Sequence, residues 1–527
     1  MPHTPEDQRE MPETNQPLPR QQSAYKLFAY KLAHKLFAHK LAQELAQEES
    51  AQRPSSQQQL RHSTSTRQPT QPWRRATALL ALVMGLPLAG AADEFADQAP
   101  ARLQAYLQID TVNPPGNEVR GVAYLAGLLK AAGIEYQTAE SAPGRGNIWA
   151  RLPGGDAPAL ILLHHIDVVP ADAAYWDVDP LSGIEQDGYL WGRGAIDTKG
   201  LGITQLQAFL ALHASGKRLS RDVIFMATAD EEAGGLYGAG WLIEHHPEIF
   251  KNVGFLINEG GSGRVTDGKP VYRIEVTQKV PLWLRLTATD IPGHGSSPRP
   301  TSAVTRILRA GNRIADTSFE WHVVPAVQTM LSEVAEFEDD ALRNRFEHIN
   351  AAVKDAAFMA GLHLQQPGTV ALLRNTCSVT SMTGSNKINV VPPTASIELD
   401  CRLLPDQDPA AFLAALGHII SDPNISMEQI MGFSPAVSST ATPLYESISR
   451  TLTLHYENMK LVPSVSTGFT DSHFFRDMGI VSYGFSPFLF APDEHTGVHG
   501  NNERISVDNM VKGTKVMTDF LFDFTAR

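Results

Sequence analysis

Cysteine is scarce in this sequence: 527 residues contain only Cys377 and Cys401. Two cysteines are too few for a disulfide-stapled scaffold or for a zinc site built from several thiolates. They flank the turn predicted around residues 387–392, on what we expect to be paired strands. A direct cross-strand pair strains a disulfide, so we expect two unlinked buried thiols, with a disulfide as the alternative. The count leaves the cellular compartment open.

Basic side chains are also in deficit, with 44 Lys and Arg against 57 Asp and Glu and a net charge of −13. Binding of a polyanion requires a basic surface, so this balance argues against nucleic acid or an anionic membrane as the main partner. The hydrophobic content of 43% is sufficient for one large core and a second domain.

The sequence lacks a long uninterrupted apolar run. The stretch at residues 76–92 follows a basic segment, is broken by Gly and Pro, and ends in small residues, as a secretory signal does. We therefore expect residues 73–91 to be a signal and the protein to be exported, to a periplasm-like compartment. The alternative is a membrane anchor formed by residues 76–92.

The position of this segment is unusual for a signal. A true start downstream of Met1, for example at a non-Met codon written here as Leu60, would give a signal of ordinary length. Residues 1–72 are rich in Gln, Ser, Thr and Pro, and we expect a disordered low-complexity extension without assigned chemistry.

Strand and helix patterns alternate after residue 92. Apolar runs predict buried strands at 159–163, 222–228 and 253–258, with helices at about 199–215 and 236–246 between them. This order predicts an α/β fold whose mostly parallel sheet is covered by helices on both faces. Alternating strands and amphipathic helices over residues 282–435 predict an inserted α+β domain. The main domain then consists of residues 92–281 and 436–527.

The first candidate site follows the strand at 159–163. His165 and Asp167 lie two residues apart at the predicted carboxyl end of this strand, where open α/β sheets bind their ligands. His165 is placed to bind a metal while Asp167 accepts a hydrogen bond from its other ring nitrogen. A strand-end histidine with no ligand role is the alternative for this pair alone.

Further acidic and histidine side chains occur at later strand ends and loops. They are Asp197 in a Gly-rich turn, Glu231 and Glu232 after the strand at 222–228, Glu259 after the strand at 253–258, and His495 and His499 near the C-terminus. Each alone is more often a solvated charge or a helix cap. Converging carboxylates repel unless a cation holds them, so together they predict a metal site. Histidine and carboxylate ligands fit two zinc ions, with one carboxylate shared between the two ions. Such ligands also suit cobalt or manganese.

Several short motifs together make residues 92–527 resemble the M20 family of metallopeptidases. This family includes carboxypeptidases, aminoacylase-1 and succinyl-diaminopimelate desuccinylase. The motifs, in order, are His165-x-Asp167, Gly194-x-x-Asp197, Asp230-Glu231-Glu232, Asn258-Glu259-Gly260, Gly293-His294-Gly295, Asn389-Val390-Val391-Pro392, Asp400-Cys401-Arg402 and His499-x-x-Asn502-Glu503. The resemblance implies a di-metal catalytic domain with an inserted lid and dimerisation domain.

The resemblance also implies roles for the site residues. One zinc ion would be bound by His165, Asp197 and Glu259, and the other by Asp197, Glu232 and His499. Glu231 would be the general base, and Asp167 would support His165.

Two positions depart from the family pattern. His164 replaces a common Gly before the first ligand, but only His165 has the required spacing to an aspartate. Thr198 follows the bridging aspartate where the family often has Asp, and relatives suggest a cis peptide at this bond.

Three residues of the insert complete the predicted site. In relatives, the histidine that matches His294 reaches the zinc site of the other subunit of a homodimer and stabilises the oxyanion. Asn389 and Arg402 match residues that bind substrate, and the planar guanidinium of Arg402 suits a free α-carboxylate. The alternatives are an Arg402 ion pair with Asp400 or Asp406, and a His294 that caps a turn.

The predicted function is zinc-dependent hydrolysis of the amide next to a free C-terminal amino acid, as in a carboxypeptidase or dipeptidase. An aminoacylase acting on N-acyl amino acids is the alternative, because its chemistry is the same and only the acyl side differs. A non-catalytic binding protein on the same fold would lack Glu231 or a ligand, and all of these residues are present.

Overall fold

The computed structural model describes residues 88–492, 494 and 497–526. The predicted low-complexity extension (1–72), most of the signal or anchor segment (73–92) and His495 lie outside the described residues. In the part of the chain that is described, no helix is long and apolar enough to cross a membrane.

The elements follow one another in the alternating order expected of an α/β fold. The strands are β1 (Tyr136–Glu140), β2 (Gly146–Leu152), β3 (Ala157–His165), β4 (Ile184–Gln186), β5 (Tyr189–Trp191), β6 (Arg221–Thr228), β7 (Val253–Asn258), β8 (Gly263–Thr266), β9 (Lys269–Gln278), β10 (Val280–Thr289), β11 (Gly293–His294), β12 (Thr376–Thr383), β13 (Val390–Val391), β14 (Thr394–Leu403), β15 (Ile425–Gly432), β16 (Lys460–Ser466), β17 (Val481–Gly484), β18 (Leu489–Phe490) and β19 (Arg504–Ser506). The helices are α1 (Leu88–Leu107), α2 (Val119–Ala131), α3 (Lys199–Ala214), α4 (Ala239–His245), α5 (Ala303–Ala315), α6 (Pro325–Val334), α7 (Asp340–Glu347), α8 (Ile349–Ala352), α9 (Ala356–Gln365), α10 (Pro367–Ala371), α11 (Pro409–Ile420), α12 (Pro443–His455), α13 (Ser472–Asp477) and α14 (Val507–Thr525).

The main sheet has the order β1-β2-β6-β3-β7-β17-β9-β8-β18, and β16 pairs with β9. Strands β6, β3, β7 and β17 are parallel neighbours, whereas β1, β2 and the β8–β9 hairpin add antiparallel pairs. The predicted mostly parallel α/β sheet is therefore confirmed. Its parallel centre places the carboxyl ends of β3, β6 and β7 along one edge.

The apolar run of β3 contributes to the cores on both faces of this sheet. Successive side chains of a strand point to opposite faces. Leu160 and Leu162 join the core beneath α1, α2, α3, α12 and α14, while Ile161 and Leu163 join the core beneath α4 and α13. A strand that is covered on both faces contains few polar residues, because neither face meets water. This explains why the apolar run of β3 is continuous.

The inserted α+β domain contains the antiparallel sheet β12-β14-β10-β15. Its buried face packs against α5 and α11, both amphipathic as their sequences predict. Helices α6 to α10 instead form a separate core with Val271 of β9 and with Val462 and Val465 of β16. This helical group therefore lies against the edge of the main sheet.

The prediction of two unlinked thiols is wrong. Cys377 on β12 and Cys401 on β14 are direct cross-strand partners, their Cα atoms lie 4.0 Å apart, and a disulfide joins them. The register brings the two side chains together on one side of the insert sheet. The prediction was wrong because it relied on the general rarity of disulfides between directly paired strand residues.

Candidate metal centre

The predicted metal ligands converge because parallel strands end at the same edge of the main sheet. His165 is the last residue of β3, Glu259 directly follows β7, and Glu231 and Glu232 lie in the short turn after β6. These three strands are neighbours in the order β6-β3-β7. Residues scattered over nearly a hundred positions thereby enter one site.

Asp197 lies between two histidines. One carboxylate oxygen, Oδ1, is 3.0 Å from Nε2 of His165, and the other, Oδ2, is 3.0 Å from Nε2 of His499. Glu259 approaches the same nitrogen of His165 at 3.7 Å, and Glu232 approaches that of His499 at 3.2 Å. The structure thus brings the five predicted ligands together, with Asp197 between the two histidines.

The electrostatics of these groups reflect crowded carboxylates in a buried site. Burial and the nearby Asp197 raise the pKa of Glu259 to about 7. Burial and the nearby Glu259 raise the pKa of Glu231 well above its ordinary value. Hydrogen bonds with Asp197 and Glu232 raise the pKa of His499 to about 10. Carboxylates this close repel one another unless positive charge lies between them. A divalent cation reduces this repulsion more than a single proton does, because it carries two positive charges.

The donor set fits such cations. Ligand atoms of His165, Asp197 and Glu232 all lie within 4.8 Å of one another, as do those of His165, Glu231 and Glu259. Imidazole nitrogen and carboxylate oxygen are ligands that zinc accepts. By distance alone Glu231 is also placed to be a ligand. Oε1 of Glu231 and Oε1 of Glu232 are both buried and have no hydrogen-bond partner among the described residues, so this feature does not separate a base from a ligand.

Asp167 supports the site in a way that differs in part from the prediction. The Nδ1 of His165 lies 2.9 Å from the backbone carbonyl oxygen of Asp167 and 3.6 Å from its carboxylate. The carbonyl is therefore the acceptor for Nδ1–H, which leaves the Nε2 lone pair for a metal.

The Asp167 carboxylate has its own partners. It accepts hydrogen bonds from Nδ2 of Asn113 at 2.8 Å and from the backbone N–H groups of Glu231 and Glu232 at 3.2 Å each. Although burial opposes ionisation, the neighbouring His165 keeps the pKa of Asp167 below its ordinary value.

The choice of His165 rather than His164 agrees with the direction of the two side chains. His164 is fully buried, lies beside Gly202, and contacts the rings of Tyr106 and Phe225. Burial lowers its pKa to about 3, so it is a neutral core residue. The cis peptide between Asp197 and Thr198 that the resemblance suggested is also present.

The sequence motifs included Glu503 but gave it no role. Its buried carboxylate accepts hydrogen bonds from Nη1 of Arg193 at 2.8 Å and from the backbone N–H groups of Gly194, Ile196 and Asp197 at 3.0, 2.8 and 3.1 Å. Glu503 therefore holds the Gly-rich turn that presents Asp197. Its place four residues after His499 was the only available signal.

Three further buried carboxylates, those of Asp471, Asp230 and Glu118, had no predicted role. Asp471 accepts a hydrogen bond from the Thr228 hydroxyl at 3.2 Å, and burial raises its pKa to about 8. Asp230 pairs with Arg145 at 2.5 Å, and Arg145 also contacts Glu118 at 2.9 Å. No sequence spacing indicates these contacts, because each joins segments far apart in the chain.

In the insert, His294 and Asn389 lie side by side. His294 pairs with Val390 between β11 and β13, and the Gly295 N–H donates to the carbonyl oxygen of Asn389 at 2.9 Å. Both side chains are exposed. The Ser296 backbone N–H donates to Nδ1 of His294 at 3.1 Å, so Nε2 of the neutral ring carries the proton.

Arg402 lies elsewhere in the insert, near the start of β10. Its Nε and Nη2 donate to the Asp400 carboxylate at 2.6 and 3.1 Å, which is the ion pair weighed as an alternative. Its guanidinium carbon lies 5.4 Å from the ring centre of Phe469. Nη1 is buried and has no hydrogen-bond partner in the described part of the chain.

The chain matches one family over most of its length. The model of peptidase family M20/M25/M40 matches residues 161–523. The N-fatty-acyl-amino acid synthase/hydrolase PM20D1 of Xenopus tropicalis is 31% identical over 378 residues, 68% of this chain and 71% of that protein. Aminoacylase-1 of Mus musculus is 26% identical over 424 residues, 79% of this chain and 92% of that protein.

A solved structure agrees at the level of the fold. The M20 family metallo-carboxypeptidase Sso-CP2 from Sulfolobus solfataricus has a TM-score of 0.62 at 19% identity, with 81% of this chain and 99% of that chain covered. The family resemblance drawn from the motifs is confirmed. This chain is a hydrolase of amide C–N bonds and belongs to peptidase family M20/M25/M40.

Proposed function

We propose that the protein hydrolyses N-acyl amino acids with the help of two divalent metal ions, which we take to be Zn²⁺. The observation that carries this proposal is the position of Asp197, whose two carboxylate oxygens each lie 3.0 Å from a different histidine. One carboxylate shared by two ligand groups is the arrangement of two-metal hydrolases. The relatives named for N-fatty-acyl-amino acid and acylamino acid chemistry support the substrate class.

His165, Asp197 and Glu259 would hold one ion, and Asp197, Glu232 and His499 the other. When bound, such ions activate a water molecule at neutral pH and polarise the substrate carbonyl. Asp167 and Glu503 bind no ion in this scheme. They fix the backbone turns from which Glu232 and Asp197 extend.

Glu231 moves the proton. It accepts a proton from the attacking water and delivers it to the amide nitrogen as the C–N bond breaks. The water oxygen bonds to the acyl carbon, so the products are a carboxylic acid and a free amino acid. Ligand atoms of His165, Glu231 and Glu259 lie within 4.8 Å of one another, so Glu231 is close enough to the proposed ligands to reach such a water, which supports this role.

Arg402 and Asn389 would bind the substrate, with the planar guanidinium of Arg402 paired to the α-carboxylate of the amino acid. His294 would donate a hydrogen bond from Nε2–H to the oxyanion in the site of a partner subunit. The exposed apolar side chains of Ile291, Ile388 and Val390 near His294 support a homodimer contact through the insert.

A panel of substrates tests the proposal. We expect kcat/KM for N-acyl amino acids to exceed that for dipeptides with the same C-terminal residue by at least tenfold, with loss of both activities after chelation. The reverse order would favour a carboxypeptidase or dipeptidase, the second candidate, which the fold of the metallo-carboxypeptidase supports.

We also propose that the protein is exported. The disulfide between Cys377 and Cys401 supports this, because disulfides persist mainly in oxidising compartments. Cell fractionation of the full chain should find it outside the cytoplasm, and titration of the denatured, unreduced protein should find no free thiols. Cytoplasmic protein with two free thiols would contradict the proposal.

A further inference from the structure

Arg145 is a buried cation beside the residues that support the metal centre. It directly precedes β2, and only 8% of the residue is exposed. Its guanidinium contacts the carboxylates of Asp230 and Glu118 at 2.5 and 2.9 Å. Burial of a charged group costs free energy unless it is paired and hydrogen-bonded, and Arg145 has both kinds of contact. These contacts connect it to the metal centre by two routes.

The first route runs through Asn113. Nη1 of Arg145 donates a hydrogen bond to Oδ1 of Asn113 at 3.1 Å, and Nδ2 of Asn113 donates to the Asp167 carboxylate at 2.8 Å. A guanidinium can only donate and an ionised carboxylate can only accept, so the two partners fix which end of the amide faces which. Arg145 therefore sets the orientation in which Asn113 supports Asp167.

The second route runs through Asp230, which directly precedes Glu231–Glu232. The backbone of Asp230 has φ +72° and ψ +12°, left-handed values that are uncommon for a residue other than glycine. Nη2 of Arg145 donates to Oδ1 of Asp230 at 2.5 Å, and the Tyr237 backbone N–H donates to Oδ2 at 3.0 Å. These contacts hold the left-handed turn, after which both glutamate N–H groups donate to Asp167.

The loop after Asn113 lies close around the guanidinium. Nη1 of Arg145 also donates to the carbonyl oxygen of Pro115 at 2.9 Å. Gly116 has a φ of +101°, and a Cβ atom there would lie 2.6 Å from Nη1 of Arg145 and from Oε2 of Glu118. Glycine at this position therefore lets the backbone approach the ion pair. A lysine ammonium lacks the planar fork and cannot reproduce this set of contacts.

We propose that Arg145 is a positioning residue for Glu231 and Glu232, the proposed general base and the neighbouring metal ligand. It acts on them from two sides, through Asn113 and Asp167 and through Asp230. Neither route requires contact with the substrate. The inference rests on the roles that the proposed function gives the two glutamates, and it is the same for N-acyl amino acids and dipeptides.

Arg145→Met, which keeps much of the side-chain length without its donors, is the first test. We expect kcat to fall about 100-fold, because a displacement of about 1 Å in a catalytic group has an effect of this size. KM should change little, because the residues proposed to bind the substrate lie in the insert. Metal affinity should fall about 10–100-fold, as it does when other supporting contacts are lost. Wild-type kcat and metal affinity in this variant would refute the proposal.

Rescue separates positioning from general support of the fold. Arg145→Ala removes the part of the side chain that ethylguanidinium replaces, so this additive should raise kcat by about tenfold through the same forked hydrogen bonds. Ethylammonium has the charge without the fork and should raise kcat less. If the loss of kcat matches a loss of thermal stability and ethylguanidinium has no effect, Arg145 has only a structural role and the proposal is overturned.

Arg151→Ala is the matched control. Arg151 lies on β2, six residues after Arg145, and pairs with the half-buried Asp222 at 2.6 Å. Its removal also takes one arginine from this part of the sheet, but it breaks neither route to the glutamates. We expect wild-type kcat and metal affinity, with no response to ethylguanidinium. A loss as large as that in Arg145→Ala would show that the effect is not specific to Arg145.

Asn113→Ala tests the first route if the Arg145 variants do not fold. It removes the donor to Asp167 and leaves the pair of Arg145 with Asp230. We expect smaller losses of kcat and metal affinity in the same direction, and unchanged values would refute the proposal. Full activity of Glu231→Gln would instead refute the role that the proposed function gives this residue. All assays use the substrate that the wild-type protein hydrolyses best.

Discussion

The backbone N–H of Glu231 donates a hydrogen bond to the carboxylate of Asp167 with an N···O distance of 3.2 Å. The adjacent N–H of Glu232 donates to the same carboxylate. The buried side chain of Asp167, which follows β3, therefore holds the backbone of the two glutamates that follow β6. This contact makes the position of the proposed base depend on Asp167.

We expect Asp167→Asn to weaken metal binding by about 10–100-fold, as loss of a supporting contact does in other metal sites. The carboxylate of Asp167 now accepts hydrogen bonds from two backbone N–H groups. The NH₂ group of Asn is itself a donor and would face one of these N–H groups, so part of the turn must shift. Competition with a chelator measures the metal affinity. Asp187→Asn, at an exposed turn, is the control and should leave it unchanged. If Asp167→Asn binds metal with wild-type affinity, the backbone carbonyl of residue 167 alone is enough to orient His165 for metal binding.

Glu231→Gln and Glu232→Gln should separate the roles of two adjacent residues. Glu231→Gln should keep both metal ions and lose turnover by about 10²–10⁴-fold or more, because it removes the proton acceptor. Glu232→Gln should lose metal occupancy, because Glu232 is 3.2 Å from His499 in the second group of ligands. Elemental analysis together with kcat gives the answer, and the opposite pattern would exchange the two roles.

The sequence predicted the core of the site because its signals are local. Val253–Asn258 is a strand as predicted, and the helix expected at 199–215 spans Lys199–Ala214. Parallel neighbouring strands end at the same edge of a sheet. A residue at or just after such an end, such as His165 or Glu259, can therefore be placed at the site once the strand order is known. The fold therefore followed from periodicity, and the candidate ligand set followed from the motifs and the family resemblance that they carry.

The contacts that the sequence did not predict depend on tertiary structure. Glu503 reaches the turn before Asp197 only because β19 pairs with β5, which lies next to that turn. Whether Cys377 and Cys401 lie close enough to form a disulfide depends on the register of β12 with β14. The position of α6 to α10 follows from how the apolar surface of these helices fits the side chains of β16. No periodicity in the sequence encodes any of these relations.

Arg402→Ala should reduce kcat/KM for substrates with a free carboxylate by about 2–4 kcal/mol in transition-state binding. It should also nearly abolish the preference for free acids over the corresponding C-terminal amides. Arg402→Lys keeps the charge without the planar fork and should recover only part of the loss. Metal content should stay at the wild-type level in both variants. An unchanged preference for free acids would leave Arg402 with only its structural pair, Asp400.

Inactive subunits that carry Glu231→Gln and His294→Ala should restore activity when they form hybrid dimers. In such a dimer one site has an intact Glu231 from its own chain and an intact His294 from the other. The exposed position of His294, with Nε2–H free to donate, agrees with this role. Tagged subunits allow the hybrids to be purified and assayed. Verified hybrids without activity would refute the contribution in trans.

Lys279 should make stability depend on pH. It is buried between β9 and β10, and its Nζ donates to the Arg374 carbonyl and the Thr376 hydroxyl at 2.9 Å each. Burial, together with the nearby charges of Arg402 and Arg374, lowers its pKa to about 7, against partial opposition from Asp400.

The unfolded chain keeps the ordinary lysine pKa of 10.5, so above pH 7 it binds a proton that the folded chain releases. The unfolding free energy therefore rises from about pH 7 to about pH 10.5, by at most about 1.4 kcal/mol per pH unit from this group. Lys279→Met should remove that part of the slope, whereas Lys512→Met, at an exposed lysine on α14, should not. Denaturant unfolding at pH 7, 8 and 9 measures the slopes, and identical slopes for wild type and Lys279→Met would show that Lys279 does not lose its proton in this range.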